Sequence, residues 1–74
     1  MKMWICRDEG YSHCLLFEFM PKKELDKFSQ KYYWVSYYDN GMIRIGDGLM
    51  LHASKFPEVT FENSPMEVEL KLKK

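Results

Sequence analysis

Four side chains of the sequence belong to the types that bind zinc or act as nucleophiles: Cys6, His13, Cys14 and His52. Zinc-binding knuckles usually place two cysteines about two to four residues apart in the chain. Here seven residues separate Cys6 from Cys14. His13 is adjacent to Cys14, and adjacent residues of a strand point to opposite faces, so the two would rarely share one ion. We therefore predict no metal site.

The two cysteines are read as buried, reduced thiols. A disulfide is the alternative, because cross-strand pairs of a hairpin come close enough to form one. The opening residues, MKMWICRDEG, reach charged positions too soon for the apolar core of a signal peptide. Nothing in the sequence therefore indicates secretion, and free thiols are the favoured interpretation.

Enzymatic chemistry finds no support in the motifs. A nucleophile needs a neighbouring histidine that a carboxylate holds in place, and Cys14, His52 and Asp47 could be combined in this way, but no local motif joins them. The GDG at residues 46–48 is typical of a turn and lacks the pattern of a phosphate-binding loop. We predict a protein that is not an enzyme and has no catalytic residue and no cofactor.

The stretch YYWVSYYDNGMIRIG, residues 32–46, is the strongest candidate for a recognition surface. Asn40-Gly41 between two apolar runs predicts a hairpin with a two-residue turn. In that register Tyr38 lies opposite Ile43 on a core face. The other face then carries the predicted interaction surface: Tyr33, Tyr37, Met42 and Arg44.

A second register stays open for this hairpin. If residues 39–41 form a three-residue loop with a bulge at Gly41, the pairing shifts by one residue. Tyr33, Val35 and Tyr37 would then join the isoleucines. We favour the two-residue turn, and the choice decides which aromatic side chains remain for recognition.

The remaining elements are predicted from hydrophobic periodicity. KMWICR (residues 2–7) and CLLFEFM (residues 14–20) indicate a hairpin with a loop of five to seven residues. In PKKELDKFSQKY (residues 21–32), Leu25, Phe28 and Tyr32 have the spacing of one helical face. Pro21 suits a helix start, so this segment predicts a short helix, with an ordered loop as the alternative.

The C-terminal half indicates more extended structure. LMLHASKFPEV, residues 49–59, has no clean period and favours a short strand or a single helical turn before Pro57. NSP at residues 63–65 predicts a turn. MEVELKLK closes the chain as a half-buried strand with four inward residues: Met66, Val68, Leu70 and Leu72. The predicted fold class is α+β, a single domain over residues 1–74 with a small antiparallel, twisted sheet of four or five strands and one short helix or ordered loop.

Charge and length restrict the partners. Eleven basic and eleven acidic residues cancel in a chain of 74 residues, so no basic field favours nucleic acid or an anionic membrane. A neutral surface gives little protection against self-association, which makes a homodimer a reasonable expectation. No apolar run approaches the roughly 20 residues that cross a bilayer. We expect a cytoplasmic protein without membrane contact.

Both ends and the middle of the chain resemble a group of small uncharacterised proteins. These come from gut Bacteroidales genomes and from their phages and mobile elements. The similarity lies in the opening MKMWICRDEG, in the tryptophan-containing strand with its glycine turn, and in the ending FPEVTFENSPMEVELKL, residues 56–72. The group has no assigned function or catalytic residues. The resemblance implies a phage-related or mobile-element accessory protein.

These patterns favour a protein-interaction module that binds a host protein or a second copy of itself. A single-stranded nucleic-acid binder is the alternative, because exposed sheet aromatics such as Tyr33 and Tyr37 can stack on bases beside Arg44. A small enzyme is the least favoured class. Ordinary packing competes with each of these functions, since tyrosines can lie flat on a sheet with their hydroxyls in water.

Overall fold

The structure is a computed structural model that describes residues 1–71. Six strands and one short 3₁₀ helix make up the fold: β1 (Lys2–Arg7), β2 (His13–Phe17), β3 (Lys22–Asp26), β4 (Lys31–Val35), β5 (Leu49–His52), the 3₁₀ helix (Ala53–Lys55) and β6 (Met66–Glu69). Four of the strands form one sheet in the order β5-β2-β1-β6, and β3 and β4 form a separate hairpin. All of these pairings are antiparallel, as predicted.

The main hydrophobic cluster lies on one face of the four-stranded sheet, and Cys6 and Phe17 are buried on the other face. Ile5 and Cys14 of the sheet pack with Ala53 and Val59, which come from the segment that crosses this face. The alternation predicted for the last strand places its first two inward residues against this core: Met66 and Val68. Leu70 was predicted to face inward but is 55% exposed. Leu72, the fourth predicted inward residue, lies outside the described residues.

The first predicted hairpin is confirmed, and it decides how the cysteines lie. β1 and β2 pair around a loop of residues 8–12, with Cys6 opposite Leu15 and Arg7 opposite Cys14. Directly opposite residues share a face, so the two thiols point to opposite sides of the sheet. Both are buried and free. The disulfide alternative is therefore wrong, and the interpretation as buried free thiols is confirmed.

The helix predicted over residues 21–32 is wrong, because this segment forms the β3–β4 hairpin. Asp26 starts the turn: its carboxylate accepts hydrogen bonds from Phe28 N (3.0 Å) and Ser29 Oγ (3.1 Å). Leu25 lies opposite Tyr32 across the hairpin. The spacing read as one helical face is thus a cross-strand pair, and residues 1–71 include no α-helix, which leaves the α+β class unconfirmed.

Two acidic side chains attach this hairpin to the main sheet. Trp34 N donates to Asp8 Oδ1 (3.0 Å), and Tyr32 N donates to Glu9 Oε1 (3.1 Å). Glu9 N donates in return to the Tyr32 carbonyl (3.1 Å). The Trp34 ring contributes a further bond, from its Nε1 to the Arg7 carbonyl (3.2 Å). The loop after β1 thus supplies hydrogen-bond partners for the main-chain groups on the outer edge of β4.

The favoured register of the Asn40-Gly41 hairpin is also wrong. Tyr37, not Tyr38, lies opposite Ile43, and Tyr38 N donates to the Met42 carbonyl (2.7 Å). The loop therefore contains residues 39–41, with Gly41 at φ 87°. A type I′ turn needs positive φ at both central residues. Asn40 does not have it, and its side chain instead accepts from Met42 N (3.0 Å).

The segment after the second turn forms a short strand and then a helical turn, the two structures that the sequence predicted as alternatives. β5 occupies residues 49–52, and the 3₁₀ helix follows it at once. His52 caps that helix, because its ring accepts a hydrogen bond from Ser54 N. Residues 59–61 do not form a strand, although Val59 is fully buried in the core.

Candidate interaction surface

The register of the hairpin separates the four residues predicted to form one surface. Tyr33 and Tyr37 lie on one face. Met42 and Arg44 lie on the other, because Met42 pairs with Tyr38, and Arg44 N donates to the Ser36 carbonyl (2.8 Å). The structure therefore brings the set together only as two pairs on opposite faces.

The tyrosine face is the more polar of the two. Tyr33 lies directly opposite Glu24 of β3, and Lys22 Nζ lies 6.0 Å from the centre of the Tyr37 ring. Partial desolvation and then the Glu24 carboxylate raise the pKa of Tyr37 above its ordinary value. Both tyrosine rings are half-buried. This agrees with tyrosines that lie flat on a sheet with charged neighbours around them.

Arg44 organises the opposite face. Its guanidinium lies 3.6 Å from the centre of the Phe19 ring and 4.2 Å from that of the Tyr38 ring. Stacking on two rings holds a planar guanidinium firmly. The Nε atom is buried and has no hydrogen-bond partner within residues 1–71. The arginine is thus fixed by aromatic contact rather than by an ion pair.

Large exposed apolar side chains surround this stack. Ile45 is 94% exposed and Met42 is 65% exposed. We refer to the group as the Arg44 surface, and it consists of six residues: Phe19, Met20, Tyr38, Met42, Arg44 and Ile45. Exposed apolar side chains scattered singly are normal, but a cluster around a fixed arginine has the composition of an interface centre.

A groove of about 220 Å³ opens within the Arg44 surface between Phe19, Tyr38 and Ile45. Glu18 and Asp47 complete its rim. The Asp47 carboxylate accepts hydrogen bonds from Glu18 N (2.8 Å) and Gly48 N (3.1 Å), which fixes the chain on both sides of the groove. The groove therefore combines the side chains of Phe19, Tyr38 and Ile45 with a rim that carries both signs of charge, and its exposed lining is more polar than apolar.

Four members of this surface were not predicted from the sequence. Phe19 and Met20 were placed inside a strand, but β2 ends at Phe17. Tyr38 was placed on the core face by the wrong register, and Ile45 was placed there as a strand residue, although residues 45 and 46 form a turn. The signal that finds Tyr38 is the Asp-Asn-Gly triplet at residues 39–41, which also suits a type I turn followed by a glycine at positive φ.

The second aromatic cluster serves packing. Tyr32 and Phe61 stack at 6.1 Å with an angle of 22° between their planes, and Trp34 lies 6.3 Å from Phe61. Lys23 Nζ covers the Tyr32 ring at 5.0 Å. These contacts join the β3–β4 hairpin to the segment that covers the core. The cluster is therefore occupied by the protein's own side chains.

Of the residues considered for metal or nucleophilic chemistry, the two histidines lie close together. His13 and His52 face each other across β2 and β5, with ring centres 5.9 Å apart. Burial raises the pKa of the Cys6 thiol to about 12, and it also raises the pKa of Cys14. Within residues 1–71, no group of three or more His, Cys, Asp or Glu side chains is arranged to hold a metal ion.

Comparison with known proteins returned no matching family model, no matching curated protein and no matching solved structure. Among the helices of residues 1–71, none is long and apolar enough to cross a membrane.

Proposed function

We propose that this protein is a non-enzymatic protein-interaction module that binds its partner through the Arg44 surface. The observation that carries the proposal is the arginine held between Phe19 and Tyr38 and bordered by the exposed Ile45 and Met42. Arginine, tyrosine and methionine are enriched in protein interfaces, and binding energy concentrates on such residues at the centre of the contact.

The groove favours a partner side chain that has both an apolar part and a polar group. Phe19, Tyr38 and Ile45 offer apolar contact, while Arg44 on the rim can donate hydrogen bonds and Glu18 and Asp47 can accept them. Single-stranded nucleic acid, the alternative partner, is disfavoured here. A phosphate chain that approached Arg44 would meet the two carboxylates on the same rim, and the net charge of the chain is zero.

The resemblance to small Bacteroidales and phage proteins supports a biological setting. In that setting the protein would be an accessory factor of a phage or mobile element, working in the bacterial cytoplasm on a host protein. A partner contact of this kind requires no cofactor, no metal and no catalytic group. We therefore propose that the protein acts by binding alone.

The test compares three proteins as bait in a lysate of a gut Bacteroidales strain: the wild type, I45D and F28D. Ile45 is 94% exposed and Phe28 is 100% exposed, so neither substitution disturbs the core. A buried aspartate at an interface centre costs binding energy, so I45D should lose a captured protein that the wild type and F28D retain.

Two outcomes would contradict the proposal. One is a captured protein that I45D retains as well as F28D does. The other is salt-dependent binding of the wild type to single-stranded oligonucleotides, measured at two salt concentrations, that I45D shares. That result would favour the nucleic-acid alternative instead.

A further inference from the structure

A sheet edge carries unpaired backbone groups, and proteins normally protect such edges with charge or cover them. β3 protects its outer edge with four charged residues among its five. The outer edge of β4 is covered by Asp8 and Glu9. At the β6 end of the main sheet, Glu67 forms an ion pair with Lys2 (3.5 Å). Each of these edges discourages the addition of another strand.

The edge formed by β5 lacks this protection. Its sequence, LMLH, contains no lysine, arginine, aspartate or glutamate. Leu49 and Met50 are each 63% exposed. They point to opposite faces of the sheet, so apolar surface borders this edge on both sides. Among the sheet edges of residues 1–71, this one is uncharged and uncovered.

The hydrogen-bond pattern shows which residues of β5 face outward. Ala53 N donates to the Ser12 carbonyl (3.1 Å), and these two residues continue the register that pairs Leu51 with Cys14. Hydrogen-bonded pairs alternate along an antiparallel ladder. Leu51 therefore bonds to β2, whereas the main-chain groups of Met50 and the amide of His52 point away from the sheet.

We propose that this edge pairs antiparallel with the same edge of a second copy of the chain. Charge argues for a second copy. Two β5 strands bring no like charges together, whereas two β6 strands would place glutamates opposite each other. The zero net charge of the chain adds no long-range repulsion between copies.

One register satisfies the geometry. Met50 of each copy pairs with His52 of the other, and the two Leu51 residues face each other at the symmetry axis. A register shifted towards Gly48 fails, because Gly48 has φ 93° and its N–H already bonds to Asp47. A shift the other way fails, because the 3₁₀ helix begins at Ala53.

The contact is short, so the dimer is expected to be weak. Four residues of paired strand bury less than the roughly 1,200 Å² typical of stable complexes. Sedimentation over about a hundredfold range of concentration should therefore show a monomer–dimer equilibrium of the wild type. Exchange of the Met50 amide should slow as concentration rises, because that N–H becomes bonded in the dimer.

The variants are matched by position on the two opposite edges of the main sheet. M50P removes an outward N–H from β5. E67P removes the equivalent one from β6, where the pairing of Met1 with Leu70 leaves Glu67 outward. M50P should raise the dimer dissociation constant at least about tenfold, and E67P should leave it unchanged. M50K keeps the main-chain N–H and should weaken the dimer through charge alone.

A wild type that stays monomeric throughout the range would overturn the proposal. So would an equal effect of M50P and E67P, with folding of each checked by circular dichroism. I45D separates this contact from the proposed function and should leave the dimer intact. If I45D abolished the dimer and M50P did not, the second copy would occupy the Arg44 surface, and the edge proposal would fail alone.

Discussion

Burial controls the chemistry of the two thiols at the scale of single residues. Cys6 and Cys14 have no exposed surface, although one lies on each side of the sheet. Desolvation is the largest cause of the raised pKa of Cys6, followed by the charge of Asp8. A thiol reacts as its thiolate, so these residues are built for packing and not for nucleophilic chemistry.

The raised pKa of Cys6 predicts a loss of stability in alkaline solution. Its pKa rises from 9.0 to about 12 on folding, so above pH 9 the unfolded chain ionises while the folded chain does not. The contribution of Cys6 to the unfolding free energy should be constant below pH 9 and should fall between pH 9 and about 12, by up to about 1.4 kcal/mol per pH unit. Urea denaturation at a series of pH values measures it.

C6A is the control for this alkaline effect. Without the thiol, the fall should be smaller, and what remains belongs to other groups with raised pKa values, such as Cys14 and Tyr37. Equal slopes for C6A and the wild type above pH 9 would contradict the assignment to Cys6.

The sequence predicts the strands better than it predicts how they are connected. β2 and β6 follow from the alternation of apolar residues and β1 from its β-forming residues, and each of the three has one face on the core. The segment at residues 21–32 misleads because Leu25 and Tyr32 satisfy two geometries. They are seven apart on a helix and directly opposite in a hairpin. The side-chain bonds of Asp26 decide for the hairpin, and periodicity does not report them.

The start of β5 depends on a glycine that the packing requires. Gly48 has φ 93°, and a Cβ there would lie 2.9 Å from the Phe17 ring. Gly41 has φ 87° and nothing within 4 Å of the same position. A side chain would therefore strain the backbone at either position, but it would clash with a neighbouring residue only at position 48.

G48A should destabilise the fold more than G41A. Strain at positive φ costs about 1–2 kcal/mol in either variant. The clash with Phe17, which is buried, adds roughly 1–3 kcal/mol at Gly48 alone. Urea denaturation gives both values. Equal losses of unfolding free energy in the two variants would contradict this expectation, because they would show that the Phe17 ring moves aside at no cost in free energy.

The whole molecule combines a small core with two exposed surfaces that are proposed to bind other proteins. The main hydrophobic cluster lies between one face of the main sheet and the segment that crosses it. The two exposed surfaces are the Arg44 surface and the β5 edge. The sequence predicted Met42 and Arg44 as recognition residues and missed Phe19 and Ile45. A one-residue shift at Gly41 moves the side chains of residues 33–38 to the other face relative to those of residues 42–44.

The proposed function requires a partner protein that contacts the Arg44 surface directly. Site-specific photo-crosslinking tests it, with benzoylphenylalanine in place of Ile45 in one protein and of Phe28 in another. Both positions are almost fully exposed, so both probes can reach a bound protein. We predict a defined protein cross-link from position 45 in a Bacteroidales lysate and none from position 28. A protein cross-link from position 28 without one from position 45 would contradict the proposed function. The absence of a cross-link from both positions would also contradict it.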